Sequence, residues 1–385
     1  MDLYLSALLT VICAILVWSW LASGKDTHSA HLPPSLPSDP LIGHMRILMK
    51  LGSDIISFNV LGHTTIVLNS RKIAEYLLSK RSYIYSDRPG AGNTMVLSDR
   101  LVGWGNNTVM QPYGERWRVQ RQMTQEFFHK RMNENLWPII TKNSRLALQR
   151  LLDDPERFES HFRRMTGSSI IKAVYGYEST ESNDPLLETV SSALQGFSQA
   201  LLASNFYVNF IPWMQYIPAW FPGAQWKREA LKWRWQTEQM LNVPYDWTRE
   251  EMASGTAPPS MLSQLLARYT EEPSEEERDI VRWATGALFA GKPCTLAYYY
   301  LNPFRFFLYF FVQNEAGTDT TLAISLVIVL AMAMHPELQA KAQTEVDSVL
   351  HDKRLPDMDD RPSMPYVHAI VKEVLRWRSV APLGA

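Results

Sequence analysis

Residues 354–377 read RLPDMDDRPSMPYVHAIVKEVLRW. Asp360-Arg361-Pro362 stands just ahead of Met364-Pro365-Tyr366. Proline suits the first turn of a helix, where its missing N–H would have had no intrahelical acceptor. A helix is therefore predicted to start here and to carry Glu373 and Arg376. Three residues apart, those two share a face and can form an ion pair. Taken alone, such a pair is an ordinary solvated contact that contributes little.

The pattern upstream is Ala316-Gly317-Thr318-Asp319-Thr320-Thr321. A glycine inside a strongly helical window costs about 1 kcal/mol relative to alanine, so it needs a reason. A flat ligand packed on the helix backbone is one reason, and a close helix–helix contact is another. Asp319 and Thr320 side by side in an apolar helix could relay protons. Further upstream, Trp117-Arg118-Val119-Gln120-Arg121 places an indole N–H and a guanidinium at i and i+4. Both can donate to an anionic ligand such as a carboxylate, and the same letters also suit an amphipathic surface helix.

The rest of the chain is mostly of helical pattern. Helices are predicted over Arg71–Lys80, Gly114–Lys130, Asn135–Leu152, Pro185–Ala203, Gly223–Met252 and Ser260–Thr270. Ser274 with Glu277 forms a capping box that opens a further helix in an acidic run suited to the helix dipole. Ile55 to Leu68 is β-branched-rich and broken at Leu61-Gly62-His63, which predicts a hairpin. FIPWMQYIPAWFPG, residues 210–223, is aromatic and proline-broken: either a loop with an apolar surface that dips into lipid or a buried connection. The fold class is mainly α with a small β element.

Leu3 to Ala22 runs LYLSALLTVICAILVWSWLA without a charge. Its length, about 20 residues, matches the roughly 30 Å of a bilayer core. Asp2 precedes it and Trp18 and Trp20 sit near its end, so it reads as a retained anchor rather than a cleaved signal. Lys25 and the later basic residues place the rest of the chain in the cytoplasm by the positive-inside tendency. Four prolines between Pro33 and Pro40 make a stiff spacer. The expected organisation is an anchor over 1–23, a hinge over 24–44 and one catalytic body over 45–385. A net charge of −1 gives no support to nucleic-acid binding. Two cysteines, Cys13 and Cys294, imply neither a disulfide framework nor a metal pair.

Together, and in this order, these patterns resemble the cytochrome P450 enzymes, especially fungal ones. The resemblance rests on YSDRP (Tyr85–Pro89), YGERWRVQR (Tyr113–Arg121), AGTDTT (Ala316–Thr321), HPELQAKAQTEVDSVL (His335–Leu350) and RLP…DRPSMPYVHAIVKEVLRW (Arg354–Trp377). It implies haem (heme) as cofactor, with Trp117 and Arg121 on a propionate. Ala316 and Gly317 would lie at the oxygen-binding kink, and Asp319 and Thr320 would deliver protons. Glu373 and Arg376 would form a buried ion pair, whose disruption is strongly destabilising. The implied activity is a monooxygenase acting on an apolar small molecule, with NADPH-cytochrome P450 reductase and membrane lipid as partners. The implied place is the endoplasmic reticulum membrane, single-pass, in secondary metabolism.

Two departures stand out. The family's iron ligand is a cysteine thiolate in a Gly- and Arg-containing loop beyond the Glu373/Arg376 helix. The sequence stops at Ala385, Cys13 lies in the apolar segment, and Cys294 has no such loop. The expectation is a P450 fold lacking its C-terminal haem-ligand region; the alternative function is a non-catalytic membrane-anchored fragment. The second departure is the stretch 291–316, which interrupts a helix expected to run from TGALFA (Thr285–Ala290) into AGTDTT. Pro293 and Pro303 would each break a helix at about 3 kcal/mol. Gly291-Lys292 and Ala316-Gly317 can encode a splice donor and acceptor, so the stretch reads as a retained intron. A family-specific loop and a second membrane segment are the other readings.

Overall fold

The computed structural model describes residues 54–60, 63–68, 70–85, 96–127, 130–180, 184–201, 206–209, 211–290, 319–351 and 354–378. The chain divides into two units, Met1–Ser86 and Asp87–Ala385.

In the first unit, β1 (Ile55–Val60) pairs antiparallel with β2 (His63–Leu68), with Ile55 opposite Leu68 and Val60 opposite His63. The two strands fall on the expected hairpin. The predicted helix over Arg71–Lys80 begins as an α-helix, Arg71–Glu75, and passes into a π-helical turn at Tyr76–Lys80.

In the second unit the helices are α1 (Glu115–Phe127), α2 (Lys130–Asp153), α3 (Phe158–Tyr175), α4 (Pro185–Leu201), α5 (Gln225–Ser254), α6 (Met261–Leu266), α7 (Glu275–Ala290), α8 (Asp319–Met334), α9 (Pro336–Leu350) and α10 (Pro365–Trp377). The mainly α reading holds. α3 is central and packs on α2, α6, α7 and α8. Sequence pattern did not reveal α3, because its buried face includes Thr166, Gly167 and Ser168 as well as Ile171 and Val174. Such a face carries little apolar period. The Thr166 hydroxyl lies within bonding distance of the carbonyls of Phe162 (3.0 Å) and Arg163 (2.9 Å), which satisfies a buried polar group locally.

The core centres on Trp104, which is fully buried. Its ring stacks on Phe197 at 3.8 Å and meets Trp283 edge-on at 5.7 Å. Its indole N–H donates to the Thr237 hydroxyl at 2.9 Å, so this large ring is buried without an orphaned donor. α4 and α5 pack so closely that a Cβ on Gly196 would lie 2.6 Å from Cδ1 of Trp233. Tyr175, at the end of α3, is also fully buried. Burial pushes its phenol up to about 12, opposed in part by the Thr285 hydroxyl.

The entry to α10 is built as a chain of caps. Asp357 opens the 3-10 turn Met358–Ser363 in a capping box with Asp360. Arg354 donates to the Asp360 carboxylate through both terminal nitrogens, at 2.6 and 2.5 Å, and holds that carboxyl down at about 2. Pro365 then stands in the first turn of α10, as the sequence predicts.

Candidate functional site

The predicted ligand-binding edge lies on α1, and its placement depends on α7. Arg116 pairs with Asp279 of α7, and the same carboxylate oxygen accepts from the Asn106 side chain at 2.9 Å. Gln120, fully buried, accepts from the Thr108 hydroxyl at 2.8 Å and donates to the Asn106 carbonyl at 3.2 Å. At the far end of α1, Arg268 pairs with Glu126 at 2.8 Å. α7 itself starts with the predicted capping box. The backbone N–H of Ser274 donates to Glu277 at 2.8 Å, and that of Glu277 donates to the Ser274 hydroxyl at 3.3 Å. The Ser274 hydroxyl, which donates to the Glu277 carboxylate at 2.7 Å, and the Ser274 backbone N–H lower that carboxyl below its ordinary range.

With Arg116 and Gln120 turned inward, Trp117 and Arg121 fall on an adjacent edge of α1. The Arg121 guanidinium lies over the Trp117 ring, 4.8 Å from its centroid, and the ring also meets Tyr113 at 5.1 Å. Arg121 is exposed, and among the described residues no carboxylate pairs with it. The arrangement is an indole N–H and a cation side by side, held on one face and not consumed by internal partners. That donor set suits an external carboxylate.

Of the other predicted site residues, Glu373 and Arg376 have described side chains. Ala316 and Gly317 lie outside the described residues, as does all of 291–318. Asp319 and Thr320 open α8, but their side chains also lie outside the described set. Glu373 and Arg376 form the predicted pair, with Nε to Oε2 at 2.7 Å and Nη2 to Oε1 at 2.5 Å. The pair is not buried, however: its side chains are 59% and 72% exposed. Two charges in water cost little to separate, so the locking role expected for a buried pair does not hold in this structure. The hydrogen bonds still lower the Glu373 carboxyl.

Sequence reasoning missed Arg116 and Asp279. Arg116 sits beside the predicted motif, but nothing local links it to an aspartate so distant in sequence. Among the described residues there is no cluster of His, Cys, Asp or Glu that could hold a metal ion. No single described helix is long and apolar enough to cross a membrane, and Leu3–Ala22 lies outside the described residues.

The family model described as Cytochrome P450 matches residues 35–295 and 310–385, passing over 296–309. The chain belongs to the cytochrome P450 family. It is 33% identical over 374 residues to Cytochrome P450 monooxygenase 208 of Postia placenta, covering 94% of this chain and 67% of that protein. It is 31% identical to Cytochrome P450 monooxygenase ppsD of Aspergillus oryzae, covering 92% and 64%. The chain thus spans about two thirds of the length of these P450 relatives. A zebra fish cytochrome P450 solved with progesterone matches with a TM-score of 0.60 at 17% identity, over 85% of this chain and 68% of that one. A second zebra fish P450 structure, with abiraterone, gives 0.58 at 19% identity, over 86% and 67%. At those identities the solved P450s show the fold alone.

Haem is the cofactor that the family implies. The residues present fit one end of it: Trp117 and Arg121 are two donors with free capacity on a fixed edge, which is what a propionate needs. No described residue supplies the thiolate end, since Cys13 and Cys294 both lie outside the described set.

Proposed function

We propose that this chain is the body of a membrane-anchored, haem-dependent monooxygenase acting on an apolar small molecule. The observation that carries the reading is the Trp117–Arg121 edge, an uncommitted cation beside an indole donor on a helix of a P450 family member. Haem, when bound, supplies the oxygen chemistry, and the protein supplies position and surroundings. In this reading Trp117 and Arg121 hold a propionate, and Asp319 and Thr320 hold and move protons at their side-chain oxygens. NADPH-cytochrome P450 reductase is the electron partner. Leu3–Ala22 anchors the chain in the endoplasmic reticulum membrane with the body in the cytoplasm. The experiment is haem titration of the full chain followed by absorbance. Arg121→Ala and Trp117→Phe should each weaken haem uptake, and uptake unchanged in both variants overturns the edge's assignment.

A second reading concerns this polypeptide by itself. Neither Cys13 nor Cys294 stands in a Gly- and Arg-containing loop. We propose that the chain alone gives no thiolate-ligated ferrous–CO spectrum and behaves as a membrane-anchored fragment. Such a spectrum, persisting in Cys294→Ser, overturns this. We also propose that 291–316 is a retained intron. The family match that passes over 296–309 and the packing of both α7 and α8 on α3 support that reading. Sequencing the mature message across codons 285–325 tests it, and a message that keeps the stretch in frame in most transcripts refutes it.

A further inference from the structure

A cleft of about 160 Å³ opens between α5, α6 and the start of α7. Tyr245 and Arg249 of α5 line it together with Arg278 of α7, and Met252 and Leu266 add apolar walls. Tyr245 is fully buried, yet among the described residues its hydroxyl has no hydrogen-bond partner. The Nε of Arg278 is buried and lacks one too. Native interiors leave few polar groups in this state. A hydroxyl and a guanidinium N–H both donate, so the partner they call for is an acceptor. The cleft has room for one compact acceptor-rich ion or a few waters.

Charge decides between the two. A third guanidinium, that of Arg282, lies over the Tyr245 ring, 5.0 Å from its centroid. Burial raises the Tyr245 phenol, and Arg282, Arg249 and Arg278 act against that rise. The carboxylates that answer these cations stand further out. One oxygen of Glu272 serves both Arg249 (3.1 Å) and Arg278 (2.8 Å), and Glu275 serves Arg282 (3.0 Å). The side chains of Glu272 and Glu275 are 64% and 72% exposed, those of Arg278 and Arg282 only 25% and 20%. Water screens the acids more than the cations, which leaves the inner cleft positive. Guanidinium groups match the oxygens of phosphate. Glu271, also exposed, lines the cleft, so a long anionic ligand would meet repulsion that a compact free ion avoids.

We propose that this cleft binds a free phosphate ion, which accepts from the Tyr245 hydroxyl and the Arg278 Nε and competes with Glu272 for Arg249. The site is separate from the Trp117–Arg121 edge and stands or falls apart from the monooxygenase reading. The test is equilibrium dialysis of radiolabelled inorganic phosphate against the full chain, at ionic strength held constant with potassium chloride. Binding should saturate. Arg249→Gln and Tyr245→Phe should each weaken it about ten-fold, the value of one hydrogen bond to a charged group. Glu272→Gln should tighten it, because a competing carboxylate is gone; damage to the fold would act in the opposite direction. Arg121→Ala should leave this binding in place. Phosphate that does not saturate against chloride overturns the proposal and leaves the cleft to water. Binding lost in Arg121→Ala but kept in Tyr245→Phe and Arg249→Gln overturns it by assigning the ion to α1. Weaker binding in Glu272→Gln also overturns it, since Glu272 would then be a support rather than a competitor.

Discussion

Glu345 of α9 caps the start of α10: its carboxylate accepts from the backbone N–H of Val367 at 2.8 Å and, through its other oxygen, from that of Tyr366 at 2.9 Å. The first N–H groups of a helix have no intrahelical acceptor, so a carboxylate from another helix meets both the bonding need and the dipole. Glu345→Ala should lower the stability of the full chain by about 1–2 kcal/mol. Urea unfolding followed by circular dichroism measures it, and an unchanged midpoint would mean that this cap does not hold α10.

Tyr175 predicts an alkaline weakness. Its phenol is raised from 10.0 to about 12, so the folded state favours the neutral form. That preference contributes fully below pH 10 and is lost as pH rises through about 12. Across that window the native protein should lose up to about 3 kcal/mol more than Tyr175→Phe, which has no proton to give up. Parallel pH-dependent unfolding curves for the two proteins would refute the assignment.

Gly196→Ala tests the α4–α5 contact. The added methyl would meet Cδ1, Cγ and Cβ of Trp233 at 2.6, 2.7 and 3.0 Å. A half-buried ring met at its Cβ and Cγ cannot yield as a flexible chain end would, so overpacking should cost about 1–3 kcal/mol. A thermal melt reads the effect, and a variant as stable as the parent would show that the two helices can part freely.

Asn106-Asn107-Thr108 is a glycosylation sequon, usable only on the lumenal side of the membrane. In the fold, Asn106 donates to Asp279 and the Thr108 hydroxyl donates to Gln120. With the body in the cytoplasm, this asparagine should stay unmodified in a eukaryotic host. An endoglycosidase-sensitive mass shift that disappears in Asn106→Gln would reverse the proposed topology.

Local signals in the sequence were read correctly where the cause is local. The hairpin at Ile55–Leu68, the Ser274–Glu277 capping box and the Pro365 helix start each depend on residues within a few positions of one another. α3 escaped because hydroxyls and a glycine stand on its buried face. The Glu345 cap and the Arg116–Asp279 pair escaped because their partners meet only in the tertiary fold. The chemistry of Glu373 and Arg376 was legible, but their exposure was not, since burial depends on what packs over a helix rather than on its own letters. For the candidate site, the sequence placed Trp117 and Arg121 on a shared helix edge, and the fold keeps them there. The side chains of Asp319 and Thr320 lie outside the described residues.

The bond network around Asp279 has a thermodynamic corollary. One carboxylate fixes both Arg116 of α1 and Asn106 in the turn before it, while buried Gln120 ties the same turn to the middle of α1. The Trp117–Arg121 edge therefore has few alternative poses from which an incoming anion must select. Its ordering is completed when the chain folds, so a ligand that docks there surrenders mainly its own freedom of motion. Cutting the network at Asp279 should loosen that edge, and recognition with it, without touching either donor.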